Sequence, residues 1–150
     1  YAQAPAAPSN SAPFGCSKEM VGQQLASFCH IQTRGYHPDT GEYGQTGIVH
    51  LWIYWGASDT GGWMCITDTW TNGRGVKVKI MPHIRGRPAD GSAANYVVFG
   101  PYKDTAGDCT WQPSFRTASG TDIDSVRVEW GDSWNKCDYC NVESQVVTRP

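Results

Sequence analysis

The chain has 150 residues, which is enough for one domain with a hydrophobic core of its own. Charged residues make up 17% of it, the formal net charge is −2, and no apolar run approaches the roughly 18–20 residues of a membrane span. The composition therefore argues against a nucleic-acid binder that acts through a basic field, and against a membrane-spanning protein.

The N-terminal segment, residues 1–15, is uncharged and rich in Ala and Pro. Because such a segment buries too little apolar surface to order itself, we expect residues 1–15 to form an extended arm and residues 16–150 a single β domain. A partner's groove can hold an extended arm through main-chain hydrogen bonds. The arm residues predicted to contact a partner are Ala4, Pro5, Ala6, Ala7, Pro8, Pro13 and Phe14.

The start of the chain and its composition favour an extracellular protein. The chain begins Tyr1-Ala2-Gln3, with no Met and no hydrophobic leader, as expected for a mature form whose signal peptide has been removed. Six cysteines, few lysines and many aromatic residues are typical of secreted, disulfide-stapled proteins. No Asn-x-Ser/Thr sequon occurs, which favours a bacterial source.

The six cysteines allow about 15 disulfide connectivities. We expect Cys65–Cys109 to join two central strands across a long loop, which would stabilise the fold by about 3–4 kcal/mol. Cys16–Cys29 is expected to hold the start of the domain, and Cys137–Cys140 to lock a tight turn. The last pair is a CxxC motif, so the alternative to a structural disulfide is a redox-active pair. Redox-active CxxC pairs normally stand at the start of a helix that follows a strand, and Cys137–Cys140 lies between predicted strands, which favours the structural role. No second CxxC and no His pair at zinc spacing occur, so we predict no metal and no cofactor.

One segment has a helical pattern. In Ser17 to Phe28, the apolar residues Met20, Val21 and Leu25 fall with Phe28 on one side, which is compatible with one short helix.

The chain after this segment is typical of β structure, with alternating apolar and polar positions between turn signals. The predicted elements are Val49–Trp55, a turn at Gly61-Gly62, Trp63–Trp70, Val76–Met81, Tyr96–Phe99 before a turn at Gly100-Pro101, Thr110–Phe115, Val126–Trp130 and an edge strand Val142–Val146. About seven to eight short strands of this kind predict an all-β fold, a disulfide-stapled antiparallel sandwich or small barrel.

No catalytic residue is predicted. His50 and His83 are the candidates for a small secreted hydrolase, which is the least favoured function because neither a Gly-x-Ser-x-Gly nor an HExxH motif occurs. Asp122 and Asp124 could serve glycosidase chemistry, but their place beside Gly120 is explained by turn and strand-end roles.

Charge is unevenly distributed along the chain. Basic residues are concentrated between Arg74 and Arg87, and acidic residues outnumber basic ones in the later stretch from Asp104 to Glu143. This order predicts a basic face and an acidic face, suited to bridging two partners. The basic residues predicted to form a partner-binding surface are Arg74, Lys77, Lys79, Arg85 and Arg87.

The aromatic residues support a second function, carbohydrate binding. Exposed rings hold sugars in lectins, and they also dominate protein–protein interfaces. We expect at least four of seven aromatic residues to pack in the core. The seven are Trp52, Tyr54, Trp63, Trp70, Trp111, Trp130 and Trp134.

The central part of the chain resembles the small secreted streptomycete proteins of the spore-associated protein A family. The similar segments, over roughly residues 44–111, are Gly47–Tyr54, Cys65–Thr67, Val98–Tyr102 and Gly107–Trp111. The resemblance implies an actinobacterial source and a spore- or cell-surface-associated module, and it supports the Cys65–Cys109 pair. The chain departs from the pattern in Cys29, the Cys137–Cys140 pair and the uncharged arm.

The size, the inferred secretion and the arm are similar to the adaptor (B) subunit of streptomycete umbrella toxin particles. There a small β domain links the toxin's ring to lectin-bearing subunits, and its arm inserts into a degenerate protease-like cleft. The resemblance implies no catalytic residues. We therefore expect a secreted, non-enzymatic adaptor that bridges other secreted proteins in a toxin-like assembly, with a carbohydrate-binding module as the alternative.

Overall fold

The computed structural model describes residues 14–37, 39–70, 74–134 and 137–150, with only the backbone described for Arg74 and Trp134. These residues form two antiparallel sheets, and the predicted all-β, disulfide-stapled sandwich is confirmed. They contain ten strands, against about seven to eight predicted. Sheet 1 contains β1 (Phe14–Val21), β2 (Gln24–Tyr36), β3 (Tyr43–Trp55), β4 (Thr60–Asp68), β7 (Thr110–Trp111) and β8 (Phe115–Arg116). Sheet 2 contains β5 (Arg74–Ile84), β6 (Phe99–Asp104), β9 (Ile123–Trp134) and β10 (Cys137–Thr148).

The two sheets differ in the number and order of their strands. Sheet 1 runs β1-β2-β3-β4-β7, with β8 also paired to β4, and sheet 2 runs β10-β9-β5-β6. The helical structure in the described residues is a single 3₁₀ turn, Ala93–Asn95, and these residues include no helix with the length and apolarity of a membrane span.

The core lies between the two sheets and follows the period-two pattern of the strands. On β3, Val49, Leu51 and Ile53 are fully buried, while the residues between them face outward. On β5, Val78 and Ile80 are buried in the same core cluster. The alternation seen in the sequence therefore reports which side of each strand faces the other sheet.

The predicted helix at Ser17 to Phe28 is wrong, because this segment forms the β1–β2 hairpin. The two strands pair from Phe14↔Ile31 to Val21↔Gln24, around a two-residue turn that begins at Gly22. Gly22 has a φ of 63°, which Gly adopts without strain. Pairing of β2 with β3 along its length outweighs the local helical pattern.

Two predicted turns also lie within strands. Gly61 and Gly62 belong to β4, and a Cβ at Gly62 would come 2.0 Å from the Trp52 carbonyl oxygen, so close strand approach explains this glycine. Gly100-Pro101 is a cis peptide inside β6. Tyr96 makes only an isolated bridge to His83 and does not begin a strand.

The disulfides join Cys16 to Cys29, Cys65 to Cys109 and Cys137 to Cys140, the pairs expected from the sequence. Cys16 and Cys29 are directly opposite in the β1–β2 hairpin. Cys65–Cys109 connects the centre of β4 to the segment that precedes β7. These two disulfides thus fasten the outer segments of sheet 1 to its inner strands, whereas Cys137–Cys140 lies within β10 of sheet 2 and not in the predicted tight turn.

The predicted arm lies mostly outside the described residues, which begin at Phe14. Phe14 and Gly15, its last two residues, belong to β1. Phe14 is half-buried, packs against the core, and stacks on Trp130 with ring centroids 6.1 Å apart. The arm is therefore attached to the sandwich at the start of an edge strand.

Candidate functional site: an aromatic face on sheet 1

The outward side of sheet 1 carries no charged residue across its central strands. Its positions alternate with core positions on β2, β3 and β4, and none in 26–32, 48–54 or 61–67 is Asp, Glu, Lys or Arg. These outward positions are Ala26, Phe28, His30 and Gln32 on β2, Ile48, His50, Trp52 and Tyr54 on β3, and Gly61, Trp63, Cys65 and Thr67 on β4.

Five rings on this side form a connected cluster, which we call the aromatic face: Phe28, Trp52, Tyr54, Trp63 and Trp111. Trp52 is central, with its ring centroid 4.4 Å from that of Phe28, 6.2 Å from Trp63 and 5.7 Å from Trp111. The ring of Tyr54 lies 5.1 Å from Trp63. Phe28, Trp52 and Trp63 are directly opposite one another in register, so strand pairing itself positions their rings.

The exposure of this face is greatest at Trp111, whose surface is 56% accessible. Trp111 belongs to the short strand β7 and pairs with Cys65 on β4. The Cys65–Cys109 disulfide therefore fixes the strand that presents Trp111.

Two histidines lie beside the aromatic face. His30 and His50 are cross-strand partners, and His30 Nδ1 lies 2.9 Å from His50 Nε2. Burial, followed by the charge of His30, lowers the pKa of His50 from its usual 6.5. The neutral form of His50 is thereby favoured over the charged form.

The described neighbours of the two His50 nitrogens are a second histidine and a disulfide sulfur. His50 Nδ1 lies 3.8 Å from Cys65 Sγ, which is bonded to Cys109. His50, Cys65 and Cys109 form a cluster with metal-ligand atom types, but sulfur atoms joined in a disulfide offer no thiolate. The sequence candidate His50 is thus part of the packed surface.

A pocket of about 340 Å³ opens at one end of the aromatic face, beside the β3–β4 turn. Tyr54 and Trp63 line it, together with an ion pair between the Arg116 guanidinium and the Asp59 carboxylate. The pocket therefore combines aromatic rings with polar side chains, among them a guanidinium that donates hydrogen bonds and a carboxylate that accepts them.

The basic residues predicted as a partner surface lie mainly on and beside the outer side of sheet 2, where acidic groups accompany them. Lys77 Nζ lies 2.9 Å from Asp138, and Lys79 Nζ lies 4.8 Å from the centroid of the Tyr139 ring. Glu129 is directly opposite Lys79 on β9.

The remaining members lie near the end of β5. Arg85 Nε is 3.0 Å from Asp122, and Arg87 donates to the Ala94 carbonyl at 3.3 Å. For Arg74, the structure describes only the backbone. The predicted separation into a basic and an acidic face is therefore wrong, because strand pairing places residues distant in sequence side by side. Whether this mixed surface binds a partner stays a prediction.

The second histidine candidate, His83, is buried and fully engaged. Its Nδ1 lies 2.7 Å from Asp124 Oδ1, and its Nε2 lies 2.8 Å from the Arg87 carbonyl oxygen. Burial acts to lower the pKa of His83, but these contacts, including the charge of Asp124, raise it above 6.5 overall. In its protonated form, His83 donates from both nitrogens and holds the segment after β5 against β9, and neither nitrogen is free to act as a base.

The aromatic set was only partly anticipated. Trp70 and Trp130 are buried, whereas Trp52, Tyr54, Trp63 and Trp111 lie on the aromatic face, so core packing for more than half of the set is wrong. Trp134 has no described side chain. Phe28 is absent from the predicted set because the sequence pattern places it at the end of a helix. The signal that could have found it is its alternation with Cys29 and Ile31.

Comparison of the chain with protein-family models, with curated proteins and with solved structures finds no match. The function is therefore inferred from the chemistry of the site itself.

Proposed function

We propose that this protein is a secreted, non-enzymatic adaptor that joins other secreted proteins, docking one of them on the aromatic face. The observation that carries the proposal is the connected cluster of rings around Trp52 on an uncharged sheet surface. Three disulfides among the described cysteines are compatible with an extracellular location.

The chemistry of the aromatic face favours a protein partner. Interface centres are depleted of charged residues and enriched in Trp, Tyr and Phe, and such rings act as hot spots. The rings contact one another across paired strands, so little side-chain freedom remains to be lost on binding.

A second attachment point is needed for bridging, and we assign it to residues 1–13. This segment is uncharged and rich in Ala and Pro, a composition suited to extended main-chain recognition in a groove. It joins the domain at Phe14, the first residue of edge strand β1. The resemblance to the umbrella toxin adaptor supports the same arrangement.

The test is co-purification from culture medium of the producing organism with affinity-tagged chains. The wild type is expected to retain two secreted partners. Trp111→Ala should lose one of them, and deletion of residues 1–13 should lose the other. Trp111 suits this purpose because it is 56% exposed and lies outside the core, so its removal leaves the fold intact.

The matched control is Val146→Ala, since Val146 is 50% exposed on sheet 2, away from the aromatic face. This variant should retain both partners. Recovery of the same partners by all four chains, or of none by the wild type, would contradict the proposal.

A further inference from the structure

We propose that the pocket between Tyr54 and Arg116 binds a neutral pyranose ring of a carbohydrate. The pocket adjoins the aromatic face and shares Tyr54 and Trp63 with it, but its ability to bind a sugar does not depend on the adaptor function.

The pocket arises from a missing side chain in a cross-strand row. Tyr54 on β3, Gly61 on β4 and Arg116 on β8 are register neighbours on the outward side of sheet 1. Gly61 leaves a gap between its two neighbours, which are separated by two strand spacings, or roughly 9.5 Å. Trp63, two residues along β4, closes the gap on one side.

The glycine that creates this gap is sterically required. A Cβ at Gly61 would lie 2.8 Å from the Phe115 carbonyl oxygen, because β8 approaches β4 closely there. The gap at Gly61 is thus built into the pairing of β4 with β8.

The groups around the gap match the two kinds of surface on a sugar ring. The rings of Tyr54 and Trp63 can receive the apolar C–H side of a pyranose. The Asp59 carboxylate accepts hydrogen bonds from hydroxyl groups, while the Arg116 guanidinium donates to them. The volume of about 340 Å³ is at the lower end for small-molecule pockets, which suits one ring better than a long chain.

The ion pair also indicates the charge of the ligand. An organic cation can stack on aromatic rings such as Tyr54 and Trp63, but the Arg116 guanidinium in the same pocket would repel it. Asp59 is already paired with Arg116, so the two charges compensate each other. A neutral polyol uses both groups without separating the pair.

The test follows the indole N–H signal of Trp63 in the ¹⁵N-labelled full chain. The probes are the methyl glycosides of glucose, galactose, mannose and N-acetylglucosamine, and tetramethylammonium serves as a cation probe. We expect at least one glycoside to give saturable shifts with a Kd of about 1 mM, and tetramethylammonium to give none.

Variants locate the binding in the pocket. Arg116→Gln and Tyr54→Ala should each weaken glycoside binding by about tenfold or more. The Arg116 side chain is 79% exposed, so this variant replaces the charged guanidinium by a shorter neutral amide without disturbing the core. Val146→Ala is the control, since Val146 is exposed on sheet 2 and outside the pocket, and the glycoside affinity of this variant should equal that of the wild type.

Three results would overturn the proposal. They are the absence of any Trp63 shift with all four glycosides, shifts with tetramethylammonium instead, and equal glycoside affinity of the wild type and Arg116→Gln. Protein co-purification and glycoside binding are read separately, so failure of one proposal is distinguishable from failure of the other.

Discussion

At the residue scale, His83 and Asp124 form a charged pair that joins β5 to β9. The side chain of His83 is 7% exposed and that of Asp124 is 30% exposed. Burial acts to raise the pKa of Asp124, but hydrogen bonds from His83 and Ser125 and the nearby positive charges lower it overall. The pKa values of the two partners therefore move apart, and both groups are charged at any pH that lies between the two pKa values.

The pair makes folding stability depend on pH. Because the pKa of His83 is raised on folding, its contribution is complete below about pH 6.5 and is lost as the pH rises through the folded-state value. We therefore expect the free energy of unfolding of the wild type to decline as the pH rises above about 6.5. Urea denaturation at several pH values measures this decline. His83→Gln should lack this decline and should lose about 1.5–3 kcal/mol at slightly acidic pH.

His37→Gln is the matched control for this prediction, because it removes a histidine from the β2–β3 connection and leaves the charged pair intact. It should retain the decline. An identical pH profile for His83→Gln and the wild type would show that the pair does not control stability.

On the acid side, the contribution of Asp124 should be lost as the pH falls below about 3.8, since its pKa is lowered on folding.

At the element scale, the β1–β2 hairpin depends on the backbone conformation of Gly22. A residue with a Cβ is strained at a φ of 63°, so Gly22→Ala should reduce the free energy of unfolding by about 1 kcal/mol. Gly15→Ala is the control, since a Cβ has open space at both glycines but only Gly22 has a positive φ. Equal stabilities of the two variants in urea denaturation would contradict this explanation.

The same hairpin shows where prediction from the sequence reached its limit. Apolar residues at helical spacing in Ser17 to Phe28 predict a helix, while Gly22 in its middle argues against one. The hairpin is preferred because β2 continues to Tyr36 and pairs with β3 along its length. Pairing between distant strands is not a local property, so the pattern within one segment could not reveal it.

Strands β3, β5 and β9 were predictable because strict alternation of apolar residues is a local signal. The aromatic face was only partly predictable. Trp52 and Trp63 are visible as aromatic residues, but their contact requires the β3–β4 register. The pocket was not predicted, since it depends on the pairing of β4 with β8, a strand of two residues.

The three disulfides close loops of different lengths, so they are expected to contribute different amounts to the free energy of unfolding. The sequence separations are 44 for Cys65–Cys109, 13 for Cys16–Cys29 and 3 for Cys137–Cys140. Loop-closure entropy gives contributions of about 4, 3 and 2 kcal/mol in that order. Paired Cys→Ala variants, compared by urea denaturation without reductant, should lose stability in the same order. The largest loss at Cys137–Cys140 would contradict it.

At the scale of the whole molecule, the two outer sides of the sandwich differ in chemistry. The outer side of sheet 1 is aromatic and uncharged over its central strands, whereas the outer side of sheet 2 carries charges of both signs. Lys77 and Asp138 compensate each other there, and the Lys77 contact lowers the pKa of Asp138. Long-range electrostatic attraction of a partner is consequently weak on either side, in keeping with a net charge of −2.

This difference allows a test of which side docks the protein partner. Binding through the aromatic face depends on apolar burial, so the Kd should change by less than about threefold between low and physiological salt. Trp111→Ala should weaken binding by about tenfold or more, mainly through faster dissociation, while Lys79→Ala should leave it unchanged. Biolayer interferometry with the co-purified partner, over a series of NaCl concentrations, measures both effects. A steep loss of affinity with salt, together with weak binding by Lys79→Ala and normal binding by Trp111→Ala, would instead place the interface on the charged side of sheet 2.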